Sequence, residues 1–250
     1  MEVHTHTHTA RKKWTHYFWE FLMLFLAVFC GFLAEYQLEH MIEQQREKKY
    51  AQTLYEDIKV DTFLLNATIE ERKFVIPKID SFRLLVHTRA IAEIPAGTWT
   101  YFGRFGTRHV RISLQDATMQ QLLSSGGLRL FKNQNVAHAI AQYDQAIREM
   151  RDGFTFLDLI FSDLLKARNI LFDAWYFNEI MELSVGAEKI ESFKKKTFPL
   201  LSNKKEDFIQ YANLCQVRSF DLQRVLVKIE IVAQRAEALL TLLKEEYHLK

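Results

Sequence analysis

Hydrophobic residues fall along the chain in two distinct patterns. Between Tyr17 and Ala34 they run on without period: Glu20 is the one charge, and Phe21 to Ala34 is apolar apart from Gly31. Extended to Leu38, such a segment rises about 33 Å as an α-helix, enough to cross the hydrocarbon of a bilayer. Trp14, Tyr17, Trp19 and Tyr36 stand near its ends, where amphipathic rings prefer the headgroup level. Farther along, apolar positions recur at alternating spacings of four and three. One such run is Val136, Ile140, Tyr143, Ile147, Met150, Phe154, Leu157, Phe161, Leu164, Arg168, Leu171 and Trp175, broken only by Arg168. Another is Phe208, Ala212, Cys215, Ser219, Leu222, Leu226, Ile229, Ala233, Ala236, Leu240, Leu243 and Tyr247, with Ser219 the one polar member. These seams predict two long helices packed at a coiled-coil-like period, each about 60 Å long.

A third long helix is expected to lead out of the apolar segment through Ala51, Leu54, Ile58, Leu65, Ile69, Ile76 and Ile79. Its first part, Glu43 to Lys49, is almost purely polar and reads as a solvated stalk. Pro77 has no amide donor and is expected to kink or end this helix. From about Ile94 to Ile112 the pattern lapses. Pro95, Gly97, Gly103 and Gly106 stand there among aromatic residues, which predicts an irregular connection. Ser113 followed by Asp116 resembles a capping box with Asp in place of Glu or Gln, and predicts a short helix that Gly126 and Gly127 stop. A second break is expected between Ser184 and Asn203, near Gly186 and Pro199.

The expected fold class is all-α. A His-rich, basic tail (1–13) precedes one N-terminal transmembrane helix (14–38), a polar helical stalk (39–50) and an elongated antiparallel bundle of the four-helix type (51–250). The 8 Gly and 3 Pro in 250 residues are too few for a turn-rich β protein. Lys and Arg number 33 against 31 Asp and Glu, so there is no global basic field and no nucleic-acid partner is expected. Two cysteines, Cys30 in the apolar segment and Cys215 far away, do not make a disulfide scaffold.

Arg11, Lys12 and Lys13 ahead of an apolar run also resemble a signal peptide. No small-x-small cleavage site follows, however, the nearest candidate being Phe32-Leu33-Ala34, and Phe29 before Cys30 is too large for a lipoprotein site. The segment is therefore read as an uncleaved anchor. Three cations precede it, and Arg46, Lys48 and Lys49 follow, but Glu35, Glu39 and Glu43 occupy the flank nearest the apolar run. The positive-inside rule then leans toward a cytoplasmic N-terminus, and in a bacterium toward a periplasmic domain.

Candidate chemistry is sparse. His4, His6 and His8 alternate with threonine, so an extended chain can turn three imidazoles toward one Zn²⁺, Ni²⁺ or Cu²⁺ ion, with His16 and Glu20 as further ligands. The plainer reading is a polar tail with incidental metal affinity. Ala27, Gly31 and Ala34 place small residues at helical spacing, a face on which two helices approach closely, and Glu20 continues that stripe. Self-association or contact with another membrane protein is one reading; a Glu20 that reaches the headgroups beside incidental small residues is the other. Arg104, Arg108, His109 and Arg111 interleave with Gly103 and Gly106. A basic loop with glycines can bind an anion, although the spacing matches no phosphate-loop signature and a loop packed on the bundle end explains it too. Arg168 at a seam position either pairs with a carboxylate or snorkels. Lys194, Lys195, Lys196, Lys204 and Lys205 would approach headgroups if the long helices alternate in direction; otherwise they are a solvated turn. No HExxH, GxSxG or Walker pattern occurs, so neither an enzyme nor a cofactor is expected.

Trp14 to His40, WTHYFWEFLMLFLAVFCGFLAEYQLEH, resembles the membrane anchor of an uncharacterised family of single-pass Bacteroidota proteins. It runs into REKKY at 46–50 and LYEDIKVD at 54–61, and LSSGGLRLFKN at 123–133 resembles an element of related anchored domains. The resemblance implies a bacterial inner-membrane protein with a periplasmic helical domain, and implies no catalytic residue or ligand. Three functions follow as expectations: an anchored, non-enzymatic protein that senses, scaffolds or contacts a partner; an accessory subunit of a membrane transport or energised complex, with Glu20 in an intramembrane contact; and a metal sensor using the histidine tail. Membrane lipid, a second copy of the chain or another membrane protein are the expected partners.

Overall fold

A computed structural model describes residues 14–109, 111–180 and 186–249, without the side chains of Phe156 and Leu157. The described residues form six α-helices and no strand: α1 (Trp14–Thr88), α2 (Ala96–Gly103), α3 (Ala117–Ser124), α4 (Gln134–Leu171), α5 (Ala187–Lys194) and α6 (Lys205–Tyr247). Contacts divide the chain between Tyr50 and Ala51 into two units.

Residues 14–50 of the first unit are the beginning of α1. This part is long and apolar enough to cross a membrane, and none of its most apolar stretch is buried within the protein. Phe21 stacks on Phe25 (ring centroids 6.3 Å apart) and Phe25 on Phe29 (5.9 Å), so a ladder of aromatic rings runs along one side at helical spacing. In the polar part that follows, Arg46, Lys48 and Lys49 are exposed, but Glu47 is 7% exposed.

The second unit is built on three long helices. Residues 51–88 of α1 bury all seven of the expected seam residues, Ala51, Leu54, Ile58, Leu65, Ile69, Ile76 and Ile79. The α4 seam is buried from Val136 to Met150 and at Leu164 and Leu171, and α6 buries Phe208, Cys215, Leu222, Ile229, Ala236 and Leu243. Helices α4 and α6 run antiparallel. Asn133 Nδ2 meets Glu246 Oε2 (2.7 Å) at one end, Arg235 meets Gln142 (2.6 Å) farther along, and Phe172 lies against Phe208 (6.1 Å) at the other. In contrast, α1 runs parallel to α4: Asp61 lies beside Tyr143, and Phe82 beside Phe172.

The four-helix expectation is thus corrected to three long helices, not all alternating. The fourth side is closed by the return from α1 to α4, residues 89–133. The Arg108 side chain meets Glu71, the Gln115 amide meets Asp61, and the Phe131 ring meets the Tyr247 ring. That return is more ordered than expected. It contains α2 and a 3-10 turn at Arg104–Thr107, because Trp99, Tyr101 and Phe105 turn inward and are almost fully buried. Phe82 gathers Trp99, Phe172, Phe208 and Tyr211 around it at centroid distances of 5.3–6.3 Å, so aromatic rings fill the space between the long helices here.

Several boundaries differ from expectation for identifiable reasons. Pro77 neither ends α1 nor lies at its core. It is exposed, so water can satisfy the carbonyl left without an amide donor. Helix α3 starts at Ala117 with Asp116 at the N-cap rather than Ser113, and Asp116 gives its carboxylate to Gln120 (2.9 Å) and Arg151 (3.1 Å) instead of capping. Its end agrees: Gly126 takes φ 66°, the left-handed conformation that glycine adopts without steric cost. The second break comes earlier than Ser184. Helix α4 stops at Leu171, Phe172 turns extended into the aromatic core, and the Asp173 carboxylate accepts from the Trp175 amide (2.9 Å). Trp175, expected in the seam, therefore lies beyond the helix and is exposed. Helix α4 itself begins at an Asn133 cap that accepts from the Asn135 amide (3.0 Å).

Candidate functional site

Charged residues occupy core positions of the second unit, and most of them meet in one place. Glu71 and Arg72 come from α1, Asp158 from α4, Arg218 and Asp221 from α6, and Arg108, His109 and Arg111 from the segment after the 3-10 turn. The two helical arginines fall on inward-facing rows. Arg72 lies between Ile69 and Ile76, and Arg218 between Cys215 and Leu222, all of them buried. Each arginine is only 1% exposed.

Ion pairing here is uneven. Glu71 Oε1 accepts from Arg108 Nε at 2.7 Å, and Glu71 Oε2 lies 3.7 Å from Arg72 Nη1. Asp158 is taken by Arg111 (3.1 Å) and by His109 (3.6 Å), whose ring also lies 4.8 Å from Phe161. Asp221 pairs with Arg224 at 3.4 Å. Arg218 makes no ion pair among the described residues. Its Nη2 donates to the Arg108 carbonyl (3.2 Å), while Nε and Nη1 are buried with no hydrogen-bond partner. Glu71 Oε2 and His109 Nδ1 are likewise buried without a hydrogen bond.

The electrostatics follow from this crowding. Burial, and then the neighbouring Arg72 charge, bring the Arg218 guanidinium down to about 10. Burial lowers His109 below the usual histidine range, and Arg218 lowers it further, so the imidazole is neutral near pH 7. A buried guanidinium without an ion pair is costly, and the Asp158, Asp221 and Glu71 carboxylates offset that cost only in part.

Of the residues singled out from the sequence, the structure brings Arg108, His109 and Arg111 into this cluster and keeps Arg104 apart. Arg104 donates to the Ile180 carbonyl and lies over the Tyr101 and Phe105 rings. The loop glycines serve packing rather than anion binding. A Cβ on Gly106 would overlap the Tyr211 hydroxyl and lie 2.6 Å from Cys215 Sγ. Arg168 meets no carboxylate among the described residues: it donates to Thr107 Oγ1 (2.9 Å) and sits 5.1 Å above the Phe177 ring. Lys205 donates to the Val86 and Arg89 carbonyls at the C-terminal end of α1, where a cation suits the helix dipole. Lys194 and Lys196 pair with Glu191 (2.7 Å) and Glu179 (2.5 Å). Because α1 and α4 are parallel, the strict alternation that would carry these lysines to headgroups is absent.

The cluster's inner members were not foreseen, though the signal was present. The α1 seam skips from Ile58 to Leu65 and from Ile69 to Ile76, and the alternation of three and four fills those gaps with Asp61 and Arg72. Asp61 is fully buried and accepts from the Gln115 amide (2.7 Å) and the Tyr143 hydroxyl (2.8 Å), so its role is structural.

Within the first unit, Glu20, Ala27, Gly31 and Ala34 share one face of α1. Glu20 lies 3.2 Å from His16, one turn earlier, which gives the carboxylate a neighbour on its own helix. Nothing lies within 4 Å of a Cβ placed on Gly31. His4, His6 and His8 lie outside the described residues, and among the described residues no group of three or more potential metal ligands occurs. Comparison of the chain with protein-family models, curated proteins and solved structures finds no match.

Proposed function

We propose that the chain is a single-pass, membrane-anchored helical protein that works without catalysis, by sensing, scaffolding or contacting a partner. One observation carries this reading: large apolar side chains from Phe18 to Leu38 are exposed on α1, so lipid or another apolar surface must cover them. The charge asymmetry across the segment favours a cytoplasmic N-terminus. The resemblance of the anchor to Bacteroidota proteins favours a bacterial inner membrane with the helical domain in the periplasm. A buried charged cluster without an exposed nucleophile or a pair of acid–base groups in a cleft suits binding better than turnover.

Contact between helices in the membrane rests on the Ala27, Gly31 and Ala34 face, which leaves room for a close neighbour. Because His16 already neighbours Glu20, an accessory-subunit role that needs Glu20 as its contact has less support than self-association. The test is affinity purification of the full-length protein from native membranes in mild detergent, followed by native mass determination. A homo-oligomer that Gly31→Leu dissociates supports the reading. A monomer whose mass Gly31→Leu does not change counts against contact through this face, and recovery of the chain from the soluble fraction counts against the anchor.

A further inference from the structure

We propose that the second unit docks on a second copy of itself through a two-helix face made by α1 and α6. The inference rests on the self-association reading above and deepens it by naming a contact beyond the apolar segment. Helix α1 carries Phe63, Phe74 and Leu84, about three turns apart each time, and α6 carries Phe220, Val227 and Ile231, about two turns and then about one turn apart. These six side chains are between 43% and 73% exposed. Both rows border one seam. Lys73 lies 3.7 Å from Glu230, and Asp80 accepts from the Ser219 hydroxyl at 2.8 Å, which sets α1 and α6 side by side. On each helix these bridging residues fall between the buried row and the exposed row. The core therefore closes the seam on one side, and the six apolar side chains flank it on the other.

The size and charge of the face suit its own copy. From Phe63 to Leu84 it is about 32 Å long, and two helices make it about 20 Å wide, so a docked pair buries about 1,300 Å² in all, within the range of stable, specific interfaces. Its charges are compensated within each copy. Lys73 lies between Glu70 (3.6 Å) and Glu230 (3.7 Å), Asp80 pairs with Arg83 (2.8 Å), and Asp221 pairs with Arg224 (3.4 Å). A face of this kind selects no oppositely charged partner and meets its own copy without net repulsion. Phe63, Phe74 and Phe220 supply the exposed aromatic rings in which interface centres are enriched. A two-fold axis along the helices lays α1 of one copy over α6 of the other, so each apolar row is covered by the other. Copies anchored in one membrane meet at high effective concentration, so a face of modest affinity suffices.

The test is sedimentation equilibrium of the full-length protein in mild detergent over a range of concentrations, with thermal melting followed by circular dichroism to check folding. Wild type should dimerise, and Phe63→Glu combined with Phe220→Glu should weaken the dimer by about tenfold or more while melting stays cooperative. If that double variant does not fold, Phe63→Gln combined with Phe220→Gln, which adds no charge, is judged by the same loss. A wild type that stays monomeric at every concentration, or a dimer undiminished in the folded double variant, would overturn the proposal. So would a different protein that co-purifies from native membranes with the wild type and is lost from the double variant. Gly31→Leu in parallel separates the two contacts. A dimer weakened by Gly31→Leu but not by the double variant refutes this face and leaves the membrane contact standing, and the opposite pattern refutes the membrane contact alone.

Discussion

Tyr143 on α4 donates its hydroxyl to the fully buried carboxylate of Asp61 on α1 at 2.8 Å, and the Gln115 amide donates to the other oxygen at 2.7 Å. One residue thus ties α1, α4 and the return segment together. Tyr143→Phe removes a hydrogen bond to a charged, buried acceptor and should destabilise the protein by about 1.5 kcal/mol or more in urea unfolding. Burial outweighs both hydrogen bonds and raises the Asp61 carboxyl above its ordinary range. The folded state then holds a proton more tightly than the unfolded state. The stability linked to this group is fullest below the ordinary carboxylate range and declines as pH rises through the folded value. Wild type should therefore gain stability relative to Asp61→Asn as pH falls from neutral, in melting curves taken across that range.

Glu71 and Arg218 should respond oppositely to neutralisation. Glu71→Gln takes the counter-charge from Arg108 and leaves it, Arg72 and Arg218 in mutual repulsion, at a cost of about 3 kcal/mol. Arg218→Met removes a buried charge that has no carboxylate partner, and it should change stability by less than about 1 kcal/mol or raise it. Denaturant unfolding of the two variants side by side checks the contrast.

His109 should titrate below the ordinary histidine range, because burial is reinforced by Arg218, Arg111 and Arg72 and only partly offset by Asp158. The stability linked to its depressed value is complete above the ordinary range and is lost as pH falls through the folded value. Proton NMR of the imidazole should show an upward shift of the midpoint in Arg218→Met. A midpoint that stays put would mean that the two groups do not share a site.

Gly106→Ala should destabilise by about 1–3 kcal/mol through overpacking, since the added methyl meets the Tyr211 hydroxyl and Cys215 Sγ. Cysteine alkylation of the variant under native conditions should speed up if the site relaxes by loosening this contact, because Cys215 is otherwise buried.

The long helices and their inward rows are legible in the sequence because burial imposes the alternation of three and four directly. Parallel α1 and α4 are not, since direction depends on how residues 89–133 return, and that return is held by long-range contacts such as Arg108 with Glu71 and Gln115 with Asp61. A basic loop at Arg108, His109 and Arg111 was visible as a charge pattern. Its partners were hidden because Arg72 falls in a gap of the α1 seam between Ile69 and Ile76, and Arg218 stands beside Ser219, which already fills the period of the α6 seam. The early end of α4 was hidden for a related reason: Trp175 continues the hydrophobic period beyond the last residue that the helix holds.

Membrane attachment through the start of α1 is tested most directly by protease treatment of spheroplasts from bacteria expressing the full-length protein, with the membranes then washed in alkaline carbonate. The account predicts that residues beyond Tyr50 are cleaved without lysis while a fragment carrying Trp14 to Leu38 stays in the carbonate-washed membrane. A domain protected until the cells are lysed would contradict the periplasmic placement, and release of the intact chain by carbonate would contradict the anchor itself.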